Sequence, residues 1–168
     1  MRRSGLLLAL LLASGVAGAQ LVPPDPDWQE TDAPAPPPLR TQGLVPMDMG
    51  PGTDLRWGVD PASISIGPDR VVRYVVVGLG RGGAVNGLYE GVRCDTAEVR
   101  VYARHARDGD WVPARPEWKP LQGSAATLHS LVIARNGVCL GEAPNGTPAQ
   151  IARDLGQTAD LRFRSEAR

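Results

Sequence analysis

The segment that decides the fold is residues 71–94, which read VVRYVVVGLGRGGAVNGLYEGVRC. It opens with the run Val71–Val77, whose continuous apolar and β-branched character is typical of a central strand. Its end, Leu88–Cys94, is a further strand candidate. Because only a short glycine-rich link separates the two runs, the segment predicts a pair of neighbouring antiparallel strands.

Three glycines of this segment, Gly78, Gly80 and Gly83, match the G-x-G-x-x-G pattern of dinucleotide-binding proteins. In those proteins the third glycine opens a helix whose N-terminus holds the pyrophosphate. Here Gly87 and Gly91 would each destabilise such a helix by about 1 kcal/mol. The Asn-Gly pair that ends at Gly87 is instead a strong hairpin-turn signal. The pattern therefore predicts a flexible or bulged link between strands and no dinucleotide site.

Alternating patterns extend the sheet on both sides of this pair. Ser63–Ile66 alternates polar and apolar residues, and Glu98–Arg104 does the same over seven residues. In the second of these segments the period of two places Val99, Val101 and Ala103 on one face. Short turns separate the segments, which favours an antiparallel meander.

Two helices are predicted in the last third of the chain. The first covers Ser124–Arg135, and its period of 3.6 residues gives it an apolar face, formed by Leu128, Leu131 and Val132. The second begins at Thr147, which resembles the start of a capping box followed by proline, and stops at Gly156. The predicted fold class is α+β: a small antiparallel β-meander of four to five strands, then two helices on one face of it, with one disulfide.

The chain divides into four parts. Residues 1–19 combine a basic start, an apolar run and a small-residue cleavage site after Ala19, which is the layout of a secretory signal peptide. Residues 20–53 form an acidic, proline-rich leader without a hydrophobic period, and we expect this leader to be disordered. Residues 54–160 have the composition of one small globular domain. Residues 161–168 form an arginine-containing tail.

The signal peptide predicts export to a bacterial periplasm, with secretion as the alternative. Its removal takes two of the 18 Lys and Arg residues and none of the 18 Asp and Glu residues, so the mature chain carries a net charge near −2. Nucleic-acid binders carry clustered positive charge, and this balance does not suggest such a partner. The apolar run is too short to span a bilayer, so we expect no transmembrane segment after cleavage.

Cys94 and Cys139 are the two cysteines of the chain. In an oxidising compartment a single pair most simply forms one disulfide bond. A metal site would need further ligands at suitable spacing, and the sequence holds only two histidines, His105 and His129. We therefore expect a disulfide, no metal and no cofactor.

Glu90 is the candidate for catalysis. On the strand Leu88–Cys94 it shares one face with apolar residues, where a carboxylate must be paired or stay protonated. Arg73 in the neighbouring strand is its expected partner, and a structural ion pair is the favoured interpretation. The alternative is a small periplasmic hydrolase in which Glu90 is the general acid or base and Arg73 or Arg93 stabilises developing negative charge.

Several segments of the globular part of the chain resemble the CNP1-like family. The resemblance covers roughly residues 54–156, and Tyr-Glu-Gly-x-Arg-Cys is its most specific motif. Its matching pieces, in chain order, are Val71–Tyr74, Gly83–Asn86, Tyr89–Cys94, Tyr102–Ala103, Trp111 and Trp118–Pro120. The resemblance implies an exported bacterial protein with two cysteines. It identifies no catalytic residues in this sequence. The glycine-rich link at Gly78–Gly83 departs from the family pattern.

Two tryptophans suggest a recognition role. Trp111 and Trp118 stand close to prolines, and aromatic residues on rigid loops are frequent in recognition surfaces, although they equally often form a small core. Together with Arg73, Tyr89 and Arg93 they are the candidate binding residues. We therefore expect a non-catalytic module of the cell envelope that binds a protein or a glycan.

Overall fold

The computed structural model describes residues 25–50, 53–115 and 117–157. The expected signal peptide at 1–19 and the expected tail at 161–168 lie outside these ranges. Within the ranges, no helix has the length and the apolar character needed to cross a bilayer.

Eight strands form one antiparallel sheet. They are β1 (Val45–Met47), β2 (Arg56–Val59), β3 (Ser65–Ile66), β4 (Val72–Leu79), β5 (Val85–Arg93), β6 (Glu98–His105), β7 (Trp111–Pro113) and β8 (Trp118–Pro120). Their order is β1-β2-β4-β5-β6-β7, while β3 shares one edge of β4 with β2 and β8 shares the outer edge of β6 with β7. A separate two-stranded ladder follows, made of β9 (Cys139–Leu140) and β10 (Ala143–Pro144).

The predicted number of four to five strands is therefore too low. The three long strands β4, β5 and β6 show the apolar or alternating patterns that predict them. Two short strands are also indicated, since β3 lies in the alternating segment Ser63–Ile66 and β7 follows the turn at Arg107–Asp110. The others, β1, β2 and β8, have three or four residues, which is too short for a period to be visible in the sequence. They form because the long strands offer unpaired backbone groups along their edges.

The hairpin of β4 and β5 lies at the centre of the sheet, in register from Val72 opposite Val92 to Leu79 opposite Val85. Its turn is closed by the Gly80 N–H, which donates to the Ala84 carbonyl over 2.8 Å. The expected turn at Asn86-Gly87 is wrong, because both residues lie within β5. Gly83 supplies the positive φ of 83° that the turn requires. The glycine pattern thus joins two antiparallel strands, and no dinucleotide-binding fold is present among the described residues.

A β-bulge interrupts the pairing of β5 with β6. Tyr89 pairs with Ala103 and Glu90 pairs with Val101, so Tyr102 is the extra residue. The bulge shifts the alternation of side chains by one position. The prediction that Ala103 shares a face with Val101 is therefore wrong, because the two residues lie on opposite faces of the sheet.

Two helices cover one face of the sheet. The first, α1 (Leu128–Ile133), continues into a π-helical segment at Ala134–Val138, and the second is α2 (Pro148–Leu155). The start of α2 is confirmed, since the side chain of Thr147 accepts a hydrogen bond from the Gln150 N–H. The first helix is shorter than predicted, and the face that it buries against the sheet is not the predicted apolar face. It buries His129, Ser130 and Ile133, whereas Leu128 is 37% exposed.

The helix-covered face holds the main apolar core. Buried valines of β4 and β5, including Val72, Val76 and Val92, pack there against Ile133 and Ile151. The predicted disulfide between Cys94 and Cys139 is confirmed, and it joins the chain after β5 to β9, at the end of the helical segment. The helices are thus held to the sheet by apolar packing and by a covalent bond.

The opposite face of the sheet is covered by residues 25–44, which we call the arm. The arm contributes Leu39 and Leu44 to a second, smaller apolar cluster around Val75 and Val77. This part of the leader, expected to be disordered, is therefore packed against the sheet. A sequence pattern does not show this, because the arm forms no regular element and its contacts join residues far apart in the chain.

Candidate functional site

Glu90 lies on the helix-covered face of β5 and is fully buried. Its carboxylate binds two neighbours on α1: His129 Nε2 lies 2.8 Å from Oε1, and the Ser130 hydroxyl donates to Oε2 over 2.9 Å. The Tyr74 hydroxyl donates to Oε2 over 3.4 Å. Burial raises the pKa of Tyr74, and the charge of Glu90 and this hydrogen bond raise it further. The Trp57 indole stacks on the His129 ring at 4.6 Å between centroids.

Arg73 is not the partner of Glu90. Along a strand, side chains alternate between the two faces, and Arg73 lies on the arm-covered face while Glu90 lies on the other. The expected pairing is wrong because Tyr74, not Arg73, is the residue of β4 directly opposite Glu90. The partners from α1 are 39 and 40 residues away in sequence.

A pocket of about 370 Å³ opens next to Glu90, between β6 and the start of α1. We call it the charged pocket. Its floor is formed by Glu90, Thr127 and Ser130. Its wall is formed by small and branched apolar residues, namely Val99, Val101, Pro113, Ala114 and Ala126. Its rim carries exposed charged residues, namely Arg104, Arg115, Glu117 and Lys119.

The three cations of the rim come from three places in the fold. Arg104 lies near the end of β6, Lys119 lies on β8 opposite Val99, and Arg115 lies in the segment between β7 and β8. In the described part of the chain, none of the three forms an ion pair with a carboxylate. The lining therefore carries three cations and two carboxylates, Glu117 at the rim and the buried Glu90 at the floor, which leaves a small excess of positive charge at the rim.

Arg73, by contrast, has its charge paired with Asp69, although its buried Nε has no hydrogen-bond partner among the described residues. Its guanidinium donates to both carboxylate oxygens of Asp69, over 2.6 and 3.1 Å, and to the Thr31 carbonyl of the arm. Burial alone would raise the pKa of Asp69, but the hydrogen bonds from Arg73 and Thr31 outweigh this effect and lower that pKa to about 2. The pair is charged and buried, with 1% of Arg73 exposed.

The arm binds this face through two residues, Trp28 and Glu30. The Trp28 ring lies 3.6 Å below the Arg93 guanidinium, and its Nε1 donates to the Asp69 carbonyl over 2.9 Å. The Glu30 carboxylate accepts hydrogen bonds from side chains of three residues of the sheet, namely Arg100, Tyr102 and Trp118. The arm is thus held by a cation–π contact and by several charged hydrogen bonds.

The five predicted binding residues all lie on the arm-covered face. Tyr89 is 2% exposed and packs 5.4 Å from Tyr102, and Trp111 donates from Nε1 to the Pro37 carbonyl of the arm over 2.9 Å. The other three bind the arm or the residues that hold it, namely Arg73, Arg93 and Trp118. The structure thus groups them on one surface, but in contact with the protein's own arm.

Several residues at these sites are not found by the sequence patterns. His129 and Ser130 lie on a short helix for which the pattern of apolar residues predicts a different buried face. In the sequence, the cations of the pocket resemble ordinary surface residues. Arg104 is missed for a related reason: a regular period of two places it on the face opposite to Val99 and Val101, and only the bulge in β6 turns it to the helix-covered face, opposite Leu88. Among the described residues, no group of three or more His, Cys, Asp or Glu side chains is arranged to hold a metal ion.

Comparison with known proteins gives one match. The model of the CNP1-like family matches residues 24–156, which is most of the chain and includes the arm. No curated protein and no solved structure matches the chain. The match begins upstream of Trp28, so it covers the segment that binds the sheet as well as the sheet itself.

Proposed function

We propose that this protein, which belongs to the CNP1-like family, is an exported, non-catalytic binding module of the bacterial cell envelope. We further propose that its ligand is held in the charged pocket. The observation that carries this proposal is the convergence of Arg104, Arg115 and Lys119 on one pocket without a paired carboxylate. Cations that line one pocket give it a positive potential, which attracts an anionic ligand.

The arm-covered face is less suited to an external ligand. Its two indoles donate to groups of the arm, and its buried arginine is bound by Asp69 and Thr31. A ligand would have to displace these contacts, whereas the charged pocket is open. The predicted tryptophan surface is therefore a structural interface in our proposal, and the binding role moves to the other face.

Export is the second part of the proposal. It is supported by the layout of residues 1–19 and by a disulfide bond, since such bonds persist in oxidising compartments. Cell fractionation followed by mass spectrometry of the intact chain tests it. We expect a periplasmic protein whose first residue is Gln20, and a full-length chain in the cytoplasm would contradict the proposal.

The binding role is tested by crosslinking in living cells. A photo-crosslinking amino acid replaces Arg115 at the rim of the pocket, and in a control strain it replaces Arg107, an exposed cation outside the pocket. We expect an adduct at position 115 that is absent at position 107. The adduct should also disappear when Arg104 and Lys119 are both changed to Gln. Equal adducts at both positions, or none, would contradict a specific ligand in this pocket.

The alternative of a hydrolase finds no supporting observation. Glu90 is fully buried, and both of its oxygens bind side chains of α1. The arginines that would stabilise negative charge, Arg73 and Arg93, lie on the opposite face of the sheet, with their guanidinium groups against Asp69 and Trp28. The geometry fits a carboxylate that holds α1 on the sheet.

A further inference from the structure

We infer that the charged pocket binds an anionic saccharide, meaning a short chain of sugar rings that carries carboxylate or phosphate groups. This inference rests on the proposed function and adds the chemical class of the ligand. It follows from the charge of the rim, the spacing of its cations and the character of the wall.

The charge of the rim selects an anion. Guanidinium and ammonium groups bind carboxylates and phosphates through charge-assisted hydrogen bonds. Three such groups stand at the rim with one exposed carboxylate, Glu117, while the second carboxylate of the pocket, Glu90, is buried and bound by His129 and Ser130, so the rim keeps an excess of positive charge. A neutral ligand would leave this excess uncompensated.

The spacing of the cations selects a ligand with more than one charge. Lys119 pairs across from Val99, five residues before Arg104 on β6. Because of the bulge at Tyr102, their partners on β5 are only four residues apart, so the separation is roughly 13 Å between backbone positions, and Arg115 lies in the segment that joins β8 to β7. A single small ion reaches one cation at a time, whereas a chain with repeated negative groups reaches several.

The wall and the size of the pocket agree with sugar rings. The volume of about 370 Å³ lies at the lower end of the usual range for small-molecule sites. The wall is formed by aliphatic side chains such as Val99, Val101 and Ala126, against which the C–H groups of a ring can pack. Glu117 at the rim can accept hydrogen bonds from ring hydroxyls. Among the described residues, no aromatic side chain lines the pocket, so these residues offer no stacking surface of the kind that a single-stranded nucleic-acid site uses.

Calorimetric titration of the mature protein tests this inference with four probes: trigalacturonate, neutral maltotriose, a peptide of four glutamates and inorganic phosphate. We expect binding of trigalacturonate that weakens as salt is added, and no measurable binding of maltotriose. The double change Arg104→Gln with Lys119→Gln should lower the affinity at least tenfold. The matched change Arg107→Gln, at an exposed cation outside the pocket, should leave it unchanged. All three side chains are exposed, so thermal unfolding should not distinguish the variants.

The other outcomes overturn the inference in different ways. Equal binding of maltotriose would show that charge does not select the ligand, and equal binding of the glutamate peptide or of phosphate would show that the saccharide part does not. Failure of trigalacturonate to bind, with the crosslinked adduct at position 115 still present, would refute the ligand class and leave the proposed function intact. Failure of both experiments would refute both proposals.

Discussion

Two buried carboxylates, Asp69 and Glu90, are stabilised in different ways on the two faces of the sheet. Asp69 is paired with the guanidinium of Arg73, so its charge is compensated by another charge. Glu90 is hydrogen-bonded to three side chains of α1 and β4, those of His129, Ser130 and Tyr74. The sequence predicts that Glu90 faces the core, because the alternation along β5 is regular. It does not predict the partners, because these depend on how α1 lies across the sheet.

The lowered pKa of Asp69 makes the stability of the protein depend on acid pH. A carboxyl with a pKa of about 2 in the folded state and about 3.9 in the unfolded chain stabilises the fold above pH 4, and this contribution is lost as the pH falls towards 2. The loss is about 2 kcal/mol. Urea unfolding at pH 5 and pH 2.5 should show it in the native protein and not in Asp69→Asn. Asp110→Asn, at an exposed turn, is the control and should behave like the native protein.

Replacement of Glu90 by Gln tests whether this carboxylate is structural. Gln has the same shape, but it removes the charge and one of the two acceptor oxygens of the carboxylate, which weakens its contacts to α1 and β4, so we expect the free energy of unfolding to fall by about 1–3 kcal/mol. Urea unfolding measures this change. Glu117→Gln, which changes the exposed carboxylate of the same pocket, should have no such effect. An unchanged stability together with loss of turnover of an envelope substrate would support the hydrolase instead.

At the scale of elements, the arm fixes the two short strands that border the charged pocket. Trp118 faces the arm and binds Glu30, while the next residue, Lys119, faces the pocket. Trp111 on β7 binds the Pro37 carbonyl of the arm. Patterns in the sequence predict the long strands and α2, because these elements show a period or a cap. The turn at Arg107–Asp110 leads into β7, but no pattern predicts β8, whose position depends on the arm and on the free edge of β6.

The change Glu30→Gln tests the role of the arm. It removes the charge that binds Arg100, Tyr102 and Trp118, so we expect a loss of stability of about 1–3 kcal/mol. Because β7 and β8 lose a fixed partner, amide hydrogen exchange at residues 111–120 should become faster than in the native protein. The control is Gln29→Ala, since Gln29 is exposed on the same arm. Unchanged exchange at residues 111–120 would show that the arm does not hold these strands.

At the scale of the whole molecule, the sheet lies between two layers of different origin. The arm precedes the sheet in the chain and covers one face, while the helices follow it and cover the other. A strands-then-helices order in the sequence predicts the helical layer. It does not predict the layer formed by the arm, because a proline-rich segment without a period gives no sign of the partners that its Trp28 and Glu30 find on the sheet.

The disulfide cross-links the end of β5 to the end of the first helical segment, and its loss should affect the helical layer most. Cys94 and Cys139 are 45 residues apart, and closure of a loop of this length stabilises a fold by up to about 4 kcal/mol. The double change Cys94→Ser with Cys139→Ser should lower the free energy of unfolding by that amount or less. Amide exchange should rise more in α2 than in β4, because β4 is held by strand pairs on both edges. Reductant should destabilise the native protein and leave the double variant unchanged. Equal stability of native protein with and without reductant would show that apolar packing alone holds the helices on the sheet.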